Sequence, residues 1–117
     1  MAFKFERLDV WQKALVLTKD VHELTKEFPK DELYVLTSQM KRAADSVAVN
    51  IAEGSTGQSN PEFSRFLGYA IRSAIEVVAC LYMGKMRDMI NEEDFNTHYK
   101  QLEEIVKMLQ ALRNAIK

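Results

Sequence analysis

The sequence has one cysteine, four glycines, two prolines and almost no net charge. The single cysteine, Cys80, excludes an intramolecular disulfide framework. The 117 residues include 16 basic and 17 acidic side chains, so the formal charge is −1 and no global basic field attracts nucleic acid. No apolar run approaches the ~20 residues of a membrane span, and residues 1–7 lack the apolar segment of a signal peptide. These absences predict a cytoplasmic protein without a membrane contact.

The composition is otherwise typical of one folded domain. Hydrophobic residues make up 47% of the chain and charged residues 28%, which argues against disorder. A chain of this length buries roughly two-thirds of its unfolded surface, so a core forms without disulfides or metals. Residues 1–117 are therefore expected to be a single domain.

Proline and glycine divide the chain into four helical stretches. The first is predicted over about 10–28, with Asp9 as its N-cap and Pro29 ending it. Its apolar stripe is predicted to consist of Trp11, Ala14, Leu15, Thr18, Val21, Leu24, Thr25 and Phe28. The second helix is predicted over about 37–53, after a lead-in turn at 31–36, with Gly54 as its C-terminal cap.

The third helix has the clearest predicted start, at an Asn60 N-cap followed by Pro61, and extends to about Met89. The fourth begins after Asn91, a second favoured N-cap, and runs to the end of the chain. Short loops between long helices favour antiparallel neighbours. The sequence therefore predicts an all-α fold, an antiparallel up-down-up-down four-helix bundle.

No pattern in the sequence indicates a catalytic, cofactor-binding or metal-binding site. A carboxylate di-metal bundle needs Glu-x-x-His motifs, but the residues three before His22 and His98 are Lys19 and Phe95. No glycine-rich phosphate loop is present. We interpret Cys80 as a buried structural thiol.

Two polar stripes beside the apolar faces exceed what packing requires. They consist of Gln39, Arg42, Ser46, Asn50 and Glu53 on the second helix, and of Glu62, Arg65, Tyr69, Arg72, Ser73 and Glu76 on the third. Two interpretations stay open: solvated helix faces with pairs one turn apart, or contacts between helices or subunits. The candidates for phosphate contacts or intersubunit salt bridges are Lys41, Arg42, Arg65 and Arg72.

Several motifs together resemble the 23S rRNA-intervening sequence protein family. They are LDVWQKA at 8–14, FP at 28–29, LYVLTSQMKRAA at 33–44 with Ser46, NIAEG at 50–54, and EFSRFL at 62–67 with Ala70, Ser73 and Glu76. The resemblance covers nearly the whole chain and implies a bacterial four-helix bundle. The family is similar to the accessory variability determinant of diversity-generating retroelements, a homopentamer that binds nucleic acid and a reverse transcriptase. The resemblance thus implies a pentamer for this chain.

Three functional hypotheses follow. The leading one is a non-enzymatic, self-assembling bundle that binds structured RNA or DNA as a scaffold or accessory factor. The second is a protein-interaction scaffold without nucleic-acid contact, which the neutral charge favours. The third is an enzyme, for which Arg42, Asn50 and Glu53 near a helix end are the only support.

Overall fold

The computed structural model describes residues 2–57 and 59–117, and within these ranges it contains helices and turns but no strand. The predicted all-α fold is confirmed. A 3₁₀ turn over Lys4–Arg7 precedes the first helix, and a second at Lys30–Glu32 leads into a π-helical turn at Leu33–Thr37. The four helices are α1 (Asp9–Thr25), α2 (Ser38–Ser55), α3 (Asn60–Met86) and α4 (Glu92–Ala115).

Contacts between helix ends show that α3 runs antiparallel to both α2 and α4. Gln39 at the start of α2 contacts Glu76 in the second half of α3. At the other end of the bundle, Arg113 near the end of α4 contacts Ser64 near the start of α3. The most extensive packing is between α2 and α3, and α1 packs more extensively on α2 than on α4. An elongated bundle of 43 × 22 × 22 Å results.

The core lies along the bundle axis, where the apolar faces of all four helices meet. Leu17 of α1, Val47 of α2, Leu67 of α3 and Leu102 of α4 are each fully buried. The predicted stripe of α1 is wrong at Leu15, which is exposed; the neighbouring Leu17 takes the core position instead. Each residue turns the helix by about 100°, so Leu15 and Leu17 lie on nearly opposite faces. Leu17 shares the three- and four-residue spacing of the buried Ala14 and Val21, and Leu15 does not.

Two predicted N-caps are wrong by one residue. Leu8, and not Asp9, is the N-cap of α1, so Asp9 lies in the first turn. A carboxylate there stabilises the helix through its favourable interaction with the positive end of the helix dipole. Ser59 is the N-cap of α3 and Asn60 its first residue, because the Ser59 hydroxyl accepts a hydrogen bond from the Glu62 amide at 3.2 Å. Serine and asparagine are almost equally good caps, so their order along the chain is not decided by preference alone.

The predicted cap of α4 is confirmed. Asn91 Oδ1 accepts the Asp94 backbone N–H at 2.7 Å. We predict that Asn91→Ala lowers the free energy of unfolding by about 1 kcal/mol, because one amide at the helix start loses its acceptor. Chemical unfolding followed by circular dichroism measures this loss. Asn91→Ser is the control, since serine is also a good cap and should retain most of the stability.

Three helix ends differ from prediction. The first helix ends at Thr25 rather than near residue 28, and Phe28 reaches the core from the turn that follows. The third ends at Met86 rather than Met89, because Asp88 has a positive φ of 58° that a helix cannot continue. Gly54 is not a cap: α2 continues to Ser55. A Cβ built on Gly54 would lie 2.5 Å from Phe66 Cβ, so this glycine allows α2 and α3 to approach closely.

The third helix is more apolar than the bundle core requires. It contains an 18-residue window of mean hydropathy 1.4, long and apolar enough by composition to span a membrane. The expectation that no segment approaches this criterion is therefore wrong for α3. Here α3 packs on both α2 and α4, as a core helix does. Only 39% of that window is buried, however, so apolar surface remains on the outer side of the helix.

Candidate interaction surface

The two predicted polar stripes lie side by side on the outer face of α2 and α3. Gln39 Nε2 donates to Glu76 Oε2 at 3.4 Å, which joins one stripe to the other. Asn50 Nδ2 instead donates to the Ser46 backbone carbonyl at 2.9 Å, so this pair is satisfied within α2. Half-buried members are Ser46, Asn50, Glu62 and Ser73, whereas Gln39, Arg42, Glu53, Arg65, Tyr69, Arg72 and Glu76 are exposed.

The four predicted cationic residues do not form one cluster. Lys41 lines a separate groove between the end of α1 and the start of α2. Arg42 lies on the α2 stripe, where its Nη2 donates to Ser38 Oγ at 3.3 Å. Arg65 and Arg72 lie together on α3 and line a groove that faces α4.

This groove contains a third arginine that the sequence analysis missed. Arg113 of α4 reaches across to α3, and its Nε donates to Ser64 Oγ at 3.0 Å. The contact joins residues 49 positions apart, so no local pattern in the sequence signals it. We call the surface the arginine groove; its volume is about 510 Å³, and it is lined by Pro61, Ser64, Arg65, Gly68, Tyr69, Ile71, Arg72 and Arg113.

The arginine groove has no acidic residue in its lining. Across residues 2–57 and 59–117, no carboxylate lies within 4.0 Å of the guanidinium groups of Arg65, Arg72 or Arg113. By contrast, Arg87 just after α3 pairs with Glu32 at 3.5 Å. The groove is therefore a local positive surface on a chain of almost zero net charge.

An exposed apolar seam occupies the C-terminal half of α3. It consists of Ile75, Ala79, Tyr82 and Met86, whose spacing of four, three and four residues is that of a coiled-coil seam. The exposed fractions are 55% for Ile75, 55% for Tyr82 and 84% for Met86. Tyr82 packs edge-on against Phe95 of α4, with ring centroids 4.9 Å apart, which fixes one border of the seam.

A second exposed apolar patch lies on the π-helical turn before α2. Leu33, Tyr34 and Val35 are consecutive and all exposed, Tyr34 to 89%. A groove of about 260 Å³ lies beside this apolar turn and is lined in part by Phe28, Pro29 and Leu33. The Arg87–Glu32 ion pair shows that the turn and the C-terminal end of α3 lie at the same end of the bundle.

The described residues contain no group of three or more His, Cys, Asp or Glu side chains arranged to hold a metal ion. The interpretation of Cys80 as a buried thiol is confirmed, since its side chain is fully buried in the core. Burial raises the pKa of the thiol from 9.0 to about 11, and the Glu76 carboxylate acts in the same direction. A raised pKa keeps the thiol neutral and unreactive.

We predict that Cys80 reacts with thiol reagents at least a hundredfold more slowly in the native protein than in the unfolded chain. Both the raised pKa and burial lower the reaction rate. Because the unfolded thiol loses its proton at a lower pH than the native thiol, stability should fall as pH rises from about 9 through 11. Reaction rates with and without denaturant test the first point; equal rates would contradict it.

Comparison with known proteins places this arrangement of helices in a family. Residues 6–111 match the family described as 23S rRNA-intervening sequence protein. The chain belongs to this family. The resemblance drawn from the motifs is thereby confirmed, whereas the relation to diversity-generating retroelements stays a prediction.

A solved structure shows the same fold. It is a protein of unknown function from the S23 ribosomal protein family of Bacteroides thetaiotaomicron, with a TM-score of 0.84. The sequences are 24% identical, and the match covers 90% of this chain and 95% of the other. No curated protein matches the chain.

Proposed function

We propose that this member of the 23S rRNA-intervening sequence protein family is a non-enzymatic, self-assembling bundle that binds RNA or DNA in its assembled form. The observation that carries the proposal is the exposed apolar seam on α3. Isolated exposed apolar residues are ordinary, but four in helical register form a continuous stripe that water solvates poorly. Covering such a stripe stabilises an assembly by about 25 cal/mol per Å² of apolar area removed from water.

A second copy of the chain is the partner that fits the seam. A ring with more than two copies needs two different patches on each chain, because its contacts are heterologous. The apolar turn at residues 33–35 supplies the second patch. Since seam and turn lie at the same end of the bundle, the seam of one copy meets the turn of the next when parallel copies form a ring. The resemblance favours five copies.

Light scattering coupled to size-exclusion chromatography tests the assembly. At micromolar concentration we expect a particle of about five times the 13.5 kDa chain mass. Other ring sizes above two would keep the seam-to-turn contact and revise only the copy number. A particle with the mass of one chain would overturn the proposal.

Nucleic-acid binding is the second part of the proposal. Its support is that Arg42 and the three arginines of the arginine groove have no carboxylate within 4.0 Å in the described parts of the chain. Assembly repeats these charges on every copy, which strengthens attraction to a polyanion. Retention on heparin and salt-dependent binding to RNA are expected. A protein-only scaffold predicts neither, and would instead capture a protein partner.

A further inference from the structure

The arginine groove is built so that one guanidinium is held in place. Gly68 has no side chain, and a Cβ there would lie 3.2 Å from Arg113 Cζ, Nη1 and Nη2. The Arg113 guanidinium therefore lies close against the α3 backbone, while its Nε donates to Ser64. Its two Nη groups make no hydrogen bond to the described residues. Fixed guanidinium donors of this kind suit the oxygens of a phosphate.

An aromatic ring borders the same groove. Tyr69 lines it and is 42% exposed. Phe66 supports the Tyr69 ring from one side, edge-on at 5.5 Å between centroids, and the Arg65 guanidinium lies 5.8 Å from the Phe66 ring. Binding sites for single-stranded nucleic acid commonly combine cationic side chains with an exposed aromatic ring. The cations contact the phosphates, and the ring stacks on a base.

We propose that the arginine groove binds the phosphate backbone of single-stranded RNA or DNA, with Arg65, Arg72 and Arg113 on the phosphates and Tyr69 stacked on a base. This inference rests on the nucleic-acid part of the proposed function and gives it a site. A phosphorylated peptide offers one dianion but no base, so it leaves Tyr69 without a role. A single strand of nucleic acid is therefore the ligand that would contact both the three arginines and Tyr69.

Fluorescence anisotropy with a short labelled oligouridylate tests the site. Three phosphate contacts on a single strand predict a slope of about −2 for log K against log salt. The double variant Arg72→Gln/Arg113→Gln should reduce the slope to about −0.7, since one contact remains. Tyr69→Ala should weaken binding to RNA and to DNA of the same sequence without changing the slope.

The matched control is the double variant Lys19→Gln/Lys100→Gln. It removes the same number of positive charges from exposed positions on α1 and α4 that do not line the groove. Lys100 lies about 20 Å from Arg113 along α4 at 1.5 Å per residue, so the slope should stay unchanged. Circular dichroism and light scattering show whether each variant folds and assembles as the wild type does. A double variant with the wild-type slope would overturn the site, as would tighter binding of a phosphoserine peptide than of either strand.

The experiments test self-assembly and strand binding in the arginine groove independently, so either proposal can be rejected while the other is retained. A single-chain particle that binds RNA with the expected slope would reject self-assembly and retain the groove. An assembled particle without salt-dependent binding would reject the groove and retain self-assembly. If the double variant folds but loses assembly, the arginines belong to a subunit contact and the groove assignment is wrong.

Discussion

The double substitution Ile75→Glu/Tyr82→Glu is expected to convert the assembled protein into single chains. Two carboxylates in the centre of the seam would have to be buried without partners, which opposes association strongly. Both residues are exposed in one chain, so the bundle should still fold, with the loss of the Tyr82 ring contacts to Phe95 and Tyr99 as the change within the chain. Light scattering should report the 13.5 kDa chain mass, with an unchanged circular dichroism spectrum.

The control for this experiment is Lys100→Glu on α4. It changes the net charge by the same two units at an exposed position outside the seam and the apolar turn. We expect it to assemble like the wild type. Equal loss of assembly in both variants would point to charge in general rather than to the seam.

The second large effect is expected at Gly54, where Gly54→Ala should lower the free energy of unfolding by about 1–3 kcal/mol. The new methyl group would lie 2.5 Å from Phe66 Cβ, an atom that cannot move unless the backbone of α3 moves. This crowding outweighs the roughly 1 kcal/mol that alanine ordinarily gains over glycine in a helix. Guanidinium unfolding at one fixed protein concentration measures the change, because assembly makes stability depend on concentration.

Gly68→Ala is the matched control, since it is also a glycine-to-alanine change within a helix. A Cβ at Gly68 meets the guanidinium at the far end of the Arg113 side chain, at 3.2 Å, and no backbone or Cβ atom of a neighbouring helix lies nearer. That guanidinium can move by a few tenths of an ångström, so stability should stay the same or rise by about 1 kcal/mol. If Gly54→Ala proves as stable as Gly68→Ala, α2 and α3 do not pack as closely as the structure shows.

The fold was predictable because it depends on local signals. Each of these signals can be recognised in a short stretch of sequence: the helical periodicity, the two prolines and the polar loop around residues 54–60. The errors have different causes. Ser59 and Asn60 are nearly equal as caps of α3, so preference alone does not choose between them. Leu15 was wrongly assigned to the core face of α1, although the spacing of the buried Ala14 and Val21 favours Leu17.

The interaction surface was predictable only in part. The two polar stripes were found because each lies on one helix, and their contact through Gln39 and Glu76 follows from antiparallel packing. Arg113 was missed because its partner Ser64 is 49 residues away. The seam was missed because an apolar helix gives one periodic signal, and periodicity does not reveal which apolar residues the rest of the chain leaves uncovered.

The most direct test of the seam-to-turn contact is a mixing experiment with two blocked chains. The Ile75→Glu/Tyr82→Glu chain retains an intact apolar turn, and a Tyr34→Glu chain retains an intact seam. Each alone should have the mass of one chain in light scattering. Mixed in equal amounts they should form a particle of two chains, since one contact remains possible. Wild-type mass for either variant alone, or single chains only in the mixture, would contradict the account.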